Sequence, residues 1–381
     1  MMRTVKLKDV IVRANTRVDK DNTDLLYYVA GEHIESDNIR IHQKGIIAGS
    51  TIGPMFYYGF KAGDFLLVSR NPHLHKAGLV NFDGICSEKT FVLETADSTI
   101  LCSEYLPFVL QNEKFWNYAY EHRHGSTNTF INWSTLAEYE FVLPDVDKQR
   151  AIAKVLWSIV DTAEAYKRLL NSTDKLVKSQ FIEMFGDPHT NPKKWSMQNL
   201  CDCCTITTGN TPSRAIPEYY GNYIEWIKTD NITSVSPFLS HAVECLSISG
   251  SKVGKIVLPG SLLMTCIAGG PNSIGSLAIV DRPVAFNQQI NAITPKNLAP
   301  WFLYYQLILL RSDLLNLTNK ALKCILTKGN LSTLKVIVPE QTLQNDFAAF
   351  VEQTDKSKFE LEHALAELTT TYKQIIRENL G

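Results

Sequence analysis

The sequence predicts an α+β chain built as an internal repeat, in which a mixed α/β globule and a long helix occur twice. Three observations predict it. Residues 144–188 and 339–381 carry matching apolar spacings at a constant offset of 195. Both begin with Pro-x4-Gln behind a short apolar run, Pro144 with Gln149 and Pro339 with Gln344. The stretches ahead of them, 1–143 and 189–338, place strand, loop and helix signals at corresponding positions.

The first globule, 1–143, opens with the amphipathic stretch Val5-Lys6-Leu7-Lys8-Asp9-Val10. β-rich runs follow at 25–30, 39–41, 55–60, 65–69 and 91–93. Between them stand Gly45, Gly49, Gly53-Pro54, Gly59 and Gly63-Asp64, residues that supply turn geometry. Residues 105–120 read as a helix and 136–143 as a closing strand.

The helix of 144–188 follows. Phe141-Val142-Leu143 reads as a buried strand that Pro144 cannot extend, because proline offers no ladder donor. Asp145 and Asp147 put carboxylates where the helix dipole favours them. Ile152, Leu156, Ile159, Ala163, Tyr166, Leu170, Thr173 and Val177 then recur in steps of 4 and 3, the seam of a coiled coil. Gly186-Asp187-Pro188 ends the helix.

The second globule, 189–338, repeats the plan. Residues 195–200 open it, and Gly209-Asn210-Thr211-Pro212-Ser213 forms a turn-rich loop. Strands are expected at 223–227, 260–266, 277–280 and 289–293, with turns at Asp230-Asn231-Ile232 and Gly269-Gly270-Pro271-Asn272. A helix at 300–315 matches 105–120, and 331–338 is the closing strand.

The last helix, 339–381, carries Phe347, Val351, Thr354, Lys358, Leu361, Leu365, Leu368 and Tyr372, each 195 residues after its counterpart in the first seam. A helix of roughly 35–40 residues is on the order of 55 Å long at ~1.5 Å per residue. So narrow a seam needs a partner, and the chain supplies one, so the two helices are expected to pack on each other. Two unrelated amphipathic helices would need the phase, the Pro-x4-Gln start and the preceding strands to coincide by accident.

Composition limits the function classes. No apolar run approaches the ~20 residues of a membrane span, and the start MMRTVKLKDV lacks an apolar signal core, so a cytoplasmic chain is expected. The eight cysteines are expected as thiols, and Cys201-Asp202-Cys203-Cys204 lacks the second pair that a zinc site requires. The net charge of −1 divides as −3 over 1–144, 0 over 145–188, +6 over 189–338 and −4 over 339–381. The basic third segment suits a polyanion; the acidic first one would need its six histidines and local basic clusters to form a patch.

The arrangement resembles the specificity subunit of type I restriction-modification enzymes. The resemblance rests on Leu143-Pro144 with Gln149, Ile152 and Ala153, on the helix exit Phe181-Ile182-Glu183-Met184-Phe185-Gly186-Asp187-Pro188, and on Thr208-Gly209-Asn210-Thr211-Pro212-Ser213. Ile224-Glu225-Trp226-Ile227, Asp230-Asn231-Ile232 and Phe286-Asn287-Gln288-Gln289-Ile290 add to it. It covers the whole chain but is weaker in the first globule, where Cys86-Ser87-Glu88-Lys89-Thr90 only loosely parallels Asn287-Gln288-Gln289.

The resemblance implies two target recognition domains, each reading half of a bipartite double-stranded DNA site, with no catalysis and no cofactor in this chain. The two helices, conserved in the family, would form an antiparallel coiled coil that spaces the half-sites and docks two methyltransferase subunits. A translocating endonuclease subunit would join them. The methyltransferase would use S-adenosylmethionine, and the endonuclease ATP and Mg. Two heads reading one face of a duplex lie about one turn, ~34 Å, apart. Asn71-Pro72, Asp187-Pro188 and Asn191-Pro192 lack the second proline of an adenine methyltransferase motif, and there is no Walker loop.

Base reading calls for Arg or Lys toward guanine and Asn or Gln toward adenine, on loops that reach a groove. In the second globule the candidates are Asn210, Thr211, Ser213, Arg214, Lys228, Thr229, Asn231 and Asn272. In the first they are Arg70, Asn71, His73, His75 and Lys76, with Arg123 between His122 and His124 as a second cluster. Against each stands a structural role: Asn and Thr in such loops also cap turns, and Gln288 and Gln289 suit backbone groups. Two other functions fit the same sequence. One is the specificity subunit of a type II-like enzyme that both cuts and methylates. The other is a coiled-coil adaptor between proteins that binds no DNA.

Overall fold

The computed structural model describes residues 3–233, 236–268, 273–320 and 324–380. Two 40-residue helices dominate it, a central one over Val146–Phe185 and a C-terminal one over Gln341–Leu380. At 1.5 Å per residue each is about 60 Å long. The chain divides into two compact units, 1–167 with 363–381 and 168–362. Each unit holds one globule, half of the central helix and half of the C-terminal helix.

In the first unit Ile152, Ala153 and Leu156, near the start of the central helix, share a core with Ile376 and Leu380 at the end of the C-terminal one. In the second, Val177, Phe181 and Phe185 share a core with Phe347 and Val351. Start meets end in one unit and end meets start in the other, so the helices are antiparallel. All sixteen positions of the two 4-3 seams are buried or half-buried.

The helix ends are built as their residues require. Asp145 accepts the Lys148 amide at 3.1 Å, which satisfies one of the orphan donors of the first turn. At the exit Gly186 takes φ +77°, a left-handed conformation favoured by glycine. The free carbonyls of Glu183 and Met184 accept Lys193 Nζ at 2.6 and 3.0 Å, and that of Phe185 accepts Trp195 Nε1 at 2.8 Å.

The globules repeat in topology. The first has a four-stranded sheet in the order Ile11–Ala14, Thr90–Thr95, Phe65–Val68, Ala77–Leu79; the second answers with Cys204–Thr208, Ile290–Pro295, Leu262–Thr265, Leu277–Ile279. Each has a further sheet holding one parallel pair, Tyr27–Val29 with Gly84–Ser87 and Ile224–Ile227 with Val284–Phe286. Each is closed by its own first and last strands, Arg3–Lys6 with Glu140–Leu143 and Ser196–Asn199 with Lys335–Val338.

The structure corrects several boundaries. The helix expected at 105–120 is two, Leu106–Leu110 and Glu113–Glu121. Asn112 divides them: its side chain accepts the Phe115 amide at 3.0 Å and donates to the Val109 carbonyl at 2.6 Å, ending one helix and capping the next. The one expected at 300–315 is likewise Pro300–Leu309 and Arg311–Asn316. The closing strands are shorter than expected, each preceded by a one-turn helix, Trp133–Leu136 or Lys328–Ser332. Residues 39–41 form no strand, only an isolated bridge from Arg40 to Leu79.

Candidate nucleic-acid interface

In the second globule the Gly209–Ser213 loop is held at almost every residue. Gly209 and Asn210 donate their amides to the Ile290 and Phe286 carbonyls, both at 3.1 Å. The Asn210 amide group bridges the Val253 carbonyl (2.9 Å) and the Lys255 amide (2.8 Å). Thr211 donates its hydroxyl to Gln288, and Ser213 accepts the Ala215 amide at 3.3 Å. Beneath the loop Tyr220 and Trp226 meet edge to face, ring centroids 6.0 Å apart. Tyr220 donates its hydroxyl to the Pro212 carbonyl at 2.6 Å, and Trp226 Nε1 donates to the Asn210 carbonyl at 3.3 Å.

This platform gathers two cations. The Arg214 guanidinium lies 4.2 Å from the Tyr220 ring centre and 5.4 Å from that of Trp226; Lys228 Nζ is 5.3 Å from the latter. Such contacts are favourable because the ring face is negative. One oxygen of Glu244 takes both, Arg214 Nη2 at 2.9 Å and Lys228 Nζ as a second ion pair. Hydrogen bonds from Arg214 and then Lys228 bring the Glu244 carboxyl down to about 2. Both cations stay accessible, with side chains 55% and 37% exposed.

The remaining candidates of this globule have other surroundings. Asn231 is buried; it accepts the Lys228 amide at 3.0 Å and donates to Ser240 Oγ and the His241 carbonyl, so it braces the turn that carries Lys228 and Thr229. Gln289 Oε1 accepts Asn287 Nδ2, while Gln288 reaches Thr211. Asn272 lies outside the described residues.

In the first globule the 70–76 loop splits its candidates. Asn71 and His75 both adopt left-handed backbone, φ 50° and 48°, around a short 3-10 turn. Asn71 donates its amide to the Thr129 carbonyl at 2.7 Å. His75 stacks on Trp116 (5.1 Å, 15°) and bonds Asp37 at 2.8 Å. Lys76 Nζ donates to the Gly31 carbonyl at 2.5 Å. Arg123 folds back over Tyr120, 3.5 Å from its ring centre, and donates to its carbonyl. Arg70 and His73 project outward.

Arg70 borders a cleft of about 250 Å³ that brings in residues the sequence reading missed: Arg13, Lys89, Phe91 and Trp133. The Arg13 guanidinium sits 4.6 Å from the Phe91 ring centre. Glu88-Lys89 joins Gly84–Ser87 to Thr90–Thr95, in the place where Asn287-Gln288-Gln289 joins Val284–Phe286 to Ile290–Pro295. That shared place was the available signal for Lys89; a lone arginine in a short strand offered none for Arg13.

Comparison with known proteins agrees with this architecture. Residues 192–369 match the family model for the type I restriction modification DNA specificity domain. The type I restriction enzyme HindI specificity subunit of Haemophilus influenzae is 31% identical over 131 residues, 33% of this chain and 28% of that protein. The MjaIX specificity subunit of Methanocaldococcus jannaschii is 30% identical over 118 residues, 30% of this chain and 26% of that one. The matched segment thus spans under a third of the length of these curated relatives. Among solved structures, the type I restriction-modification S subunit of M. genitalium has a TM-score of 0.63 at 13% identity, covering 100% of this chain and 96% of that one. A chain of a type I R-M system studied for complex assembly and conformational transition has a TM-score of 0.57 at 19% identity, covering 99% and 97%. Those two likenesses bear on the fold; residues 192–369 carry the type I restriction modification DNA specificity domain, and the chain is similar to type I specificity subunits over about a third of its length.

Proposed function

We propose that the chain supplies sequence recognition to a type I restriction-modification complex, each globule reading one half of a bipartite duplex site. The observation that carries this is the braced 209–214 loop, which presents Thr211, Ser213 and Arg214 beside Lys228 on a fixed aromatic base. A pre-ordered loop loses little entropy on binding, and cations with hydroxyls are what phosphates and base edges take. The cleft of Arg70, Arg13 and Lys89, with Glu88 paired to Lys89, gives the first globule an aromatic-lined surface with three cations to one carboxylate despite its acidic net charge.

The helices space the half-sites and dock two methyltransferase subunits, which an endonuclease/translocase joins. Val155, Leu169 and Leu176 lie at multiples of seven on the central helix and are about half exposed, which favours partner helices laid beside the seam. Methyl transfer with S-adenosylmethionine, and cleavage with ATP and Mg, belong to the partners. Among the described residues no helix is long and apolar enough to cross a membrane, which accords with work on cytoplasmic DNA.

The test is adenine-methylation mapping of DNA from cells that co-express the chain with type I methyltransferase subunits, together with co-purification of the two. The expected result is one split motif, with only one half changing when one globule is exchanged. Association without any motif would overturn the reading of DNA by the globules; no association would overturn the docking role.

A further inference from the structure

We propose that Glu244 is a specificity gate: it occupies Arg214 and Lys228 against stray phosphates and keeps them when the duplex seats on the adjoining loop. This rests on DNA reading by the second globule. Arg214 and Lys228 come from different segments, a loop and the end of a strand, yet both turn to the same Glu244 oxygen. The acid is held for the task, because its own carbonyl accepts the Trp226 amide at 3.0 Å. The pairs stay solvent-exposed, so another anion can replace the carboxylate.

A second acid on this globule shows the contrast. Glu225 receives the Arg282 fork at 2.9 and 2.8 Å, the Ala242 amide at 2.8 Å and His241 at 3.1 Å. Its arginine also donates to the Leu239 and Ser240 carbonyls. That pair ties chain segments together. Among the described residues, Arg214 and Lys228 have instead only ring faces beside them as further contacts.

Non-specific affinity comes almost wholly from phosphate contacts and the counterions they release, whereas specific affinity adds base contacts. Where base contacts seat the motif duplex with both cations still on Glu244, the carboxylate takes phosphate affinity from non-specific binding alone, and so widens discrimination. Glu244 touches no base in this scheme; it is a positioning residue acting through the two cations.

The experiment uses the full chain assembled with its methyltransferase partner. Binding is measured by fluorescence anisotropy on a mixed-sequence 30-bp duplex and on one carrying the mapped motif, over a series of salt concentrations. Glu244→Gln is expected to tighten mixed-sequence binding several-fold at low salt. It should steepen the plot of log K against log salt by about one to two, at ~0.9 per phosphate gained, while motif affinity changes by less than about twofold. Adding Arg214→Ala and Lys228→Ala should remove that extra slope. Glu218→Gln makes the same charge change at an exposed residue of the same globule and should leave the slope as in wild type. Glu244→Asp, which keeps the charge on a shorter arm, should fall between wild type and Glu244→Gln.

An unchanged slope in Glu244→Gln overturns the gate, as does an equal change in Glu218→Gln or equal tightening on both duplexes. If Glu244→Gln melts below the assay temperature, an unchanged slope in Glu244→Asp overturns it instead. A wild-type complex that does not prefer the motif overturns the DNA reading itself, a separate outcome.

Discussion

Gln149 and Gln344, 195 residues apart, perform the same task at the two helix starts. Both are almost wholly buried, and each donates Nε2 to the carbonyl of the proline five residues earlier, at 2.8 Å in both cases. Each also accepts a backbone amide from its own globule through Oε1, Cys102 for Gln149 and Ala299 for Gln344, both at 2.9 Å. A single side chain thus fixes the entry angle of a long helix against the globule it follows. The repeated Pro-x4-Gln is the sequence trace of that joint.

Replacing either glutamine by leucine strands buried backbone groups, at about 1–3 kcal/mol for each group left unpaired. Gln149→Leu and Gln344→Leu are each expected to lower stability by that order. Amide exchange would localise the loss: around Cys102 and Pro144 in one variant, around Ala299 and Pro339 in the other. Loss spread evenly over both units would contradict the joint.

The end of the central helix is anchored by aromatic rings. Phe181 meets Phe347 edge to face at 5.4 Å, and Phe302 lies 5.5 Å from Phe181 and 4.7 Å from Phe185. All four are fully buried. Phe347→Ala is expected to cost about 3–5 kcal/mol in urea unfolding. Phe359, on the same helix but 69% exposed, should cost under about 0.5 kcal/mol as alanine. Similar losses in the two would show that the seam phase is wrong.

Acid should weaken the second globule through Glu225. Its carboxyl is lowered to about 2, first by the Arg282 hydrogen bonds and then by the Ala242 amide and His241, against the opposing pull of burial. A folded value below the unfolded one stabilises the protein at pH above the unfolded range, near ~4.3. That contribution is lost as pH falls from there through about 2. Urea midpoints of wild type and Glu225→Gln are therefore expected to differ most above pH 5 and to converge toward pH 2.5. A gap that stays constant across this range would refute the linkage.

The repeat was legible because heptad spacing survives in sequence: Ile152 to Val177 and Phe347 to Tyr372 state their phase, and both helices run where that phase places them. The breaks at Asn112 and Leu310 were hidden, since an apolar run such as 300–315 keeps the same pattern whether it is one helix or two. The candidate loops were legible through glycine and proline, but loop position does not show which side chain is already engaged. Asn231 and Lys76 have the right chemistry, yet one is buried as a turn brace and the other donates its ammonium to Gly31. Only folding brings Glu244 beside Arg214 and Lys228, 30 and 16 residues away in sequence.

Gly209 offers a way to test one proposed reading head alone. A Cβ there would stand 2.2 Å from the Asn287 carbonyl oxygen and 2.5 Å from that of Phe286, backbone atoms that cannot step aside. Gly209→Ala must therefore push the loop off the strand end and displace Thr211 and Arg214 with it. Gly31, in the first globule, has open space at the same test and serves as the control. The expected outcome is that Gly209→Ala erases or relaxes one half of the methylated motif while the other half and complex assembly persist; Gly31→Ala leaves both halves intact. Simultaneous loss of both halves, with the protein folded and assembled, would mean that the globules do not read independently.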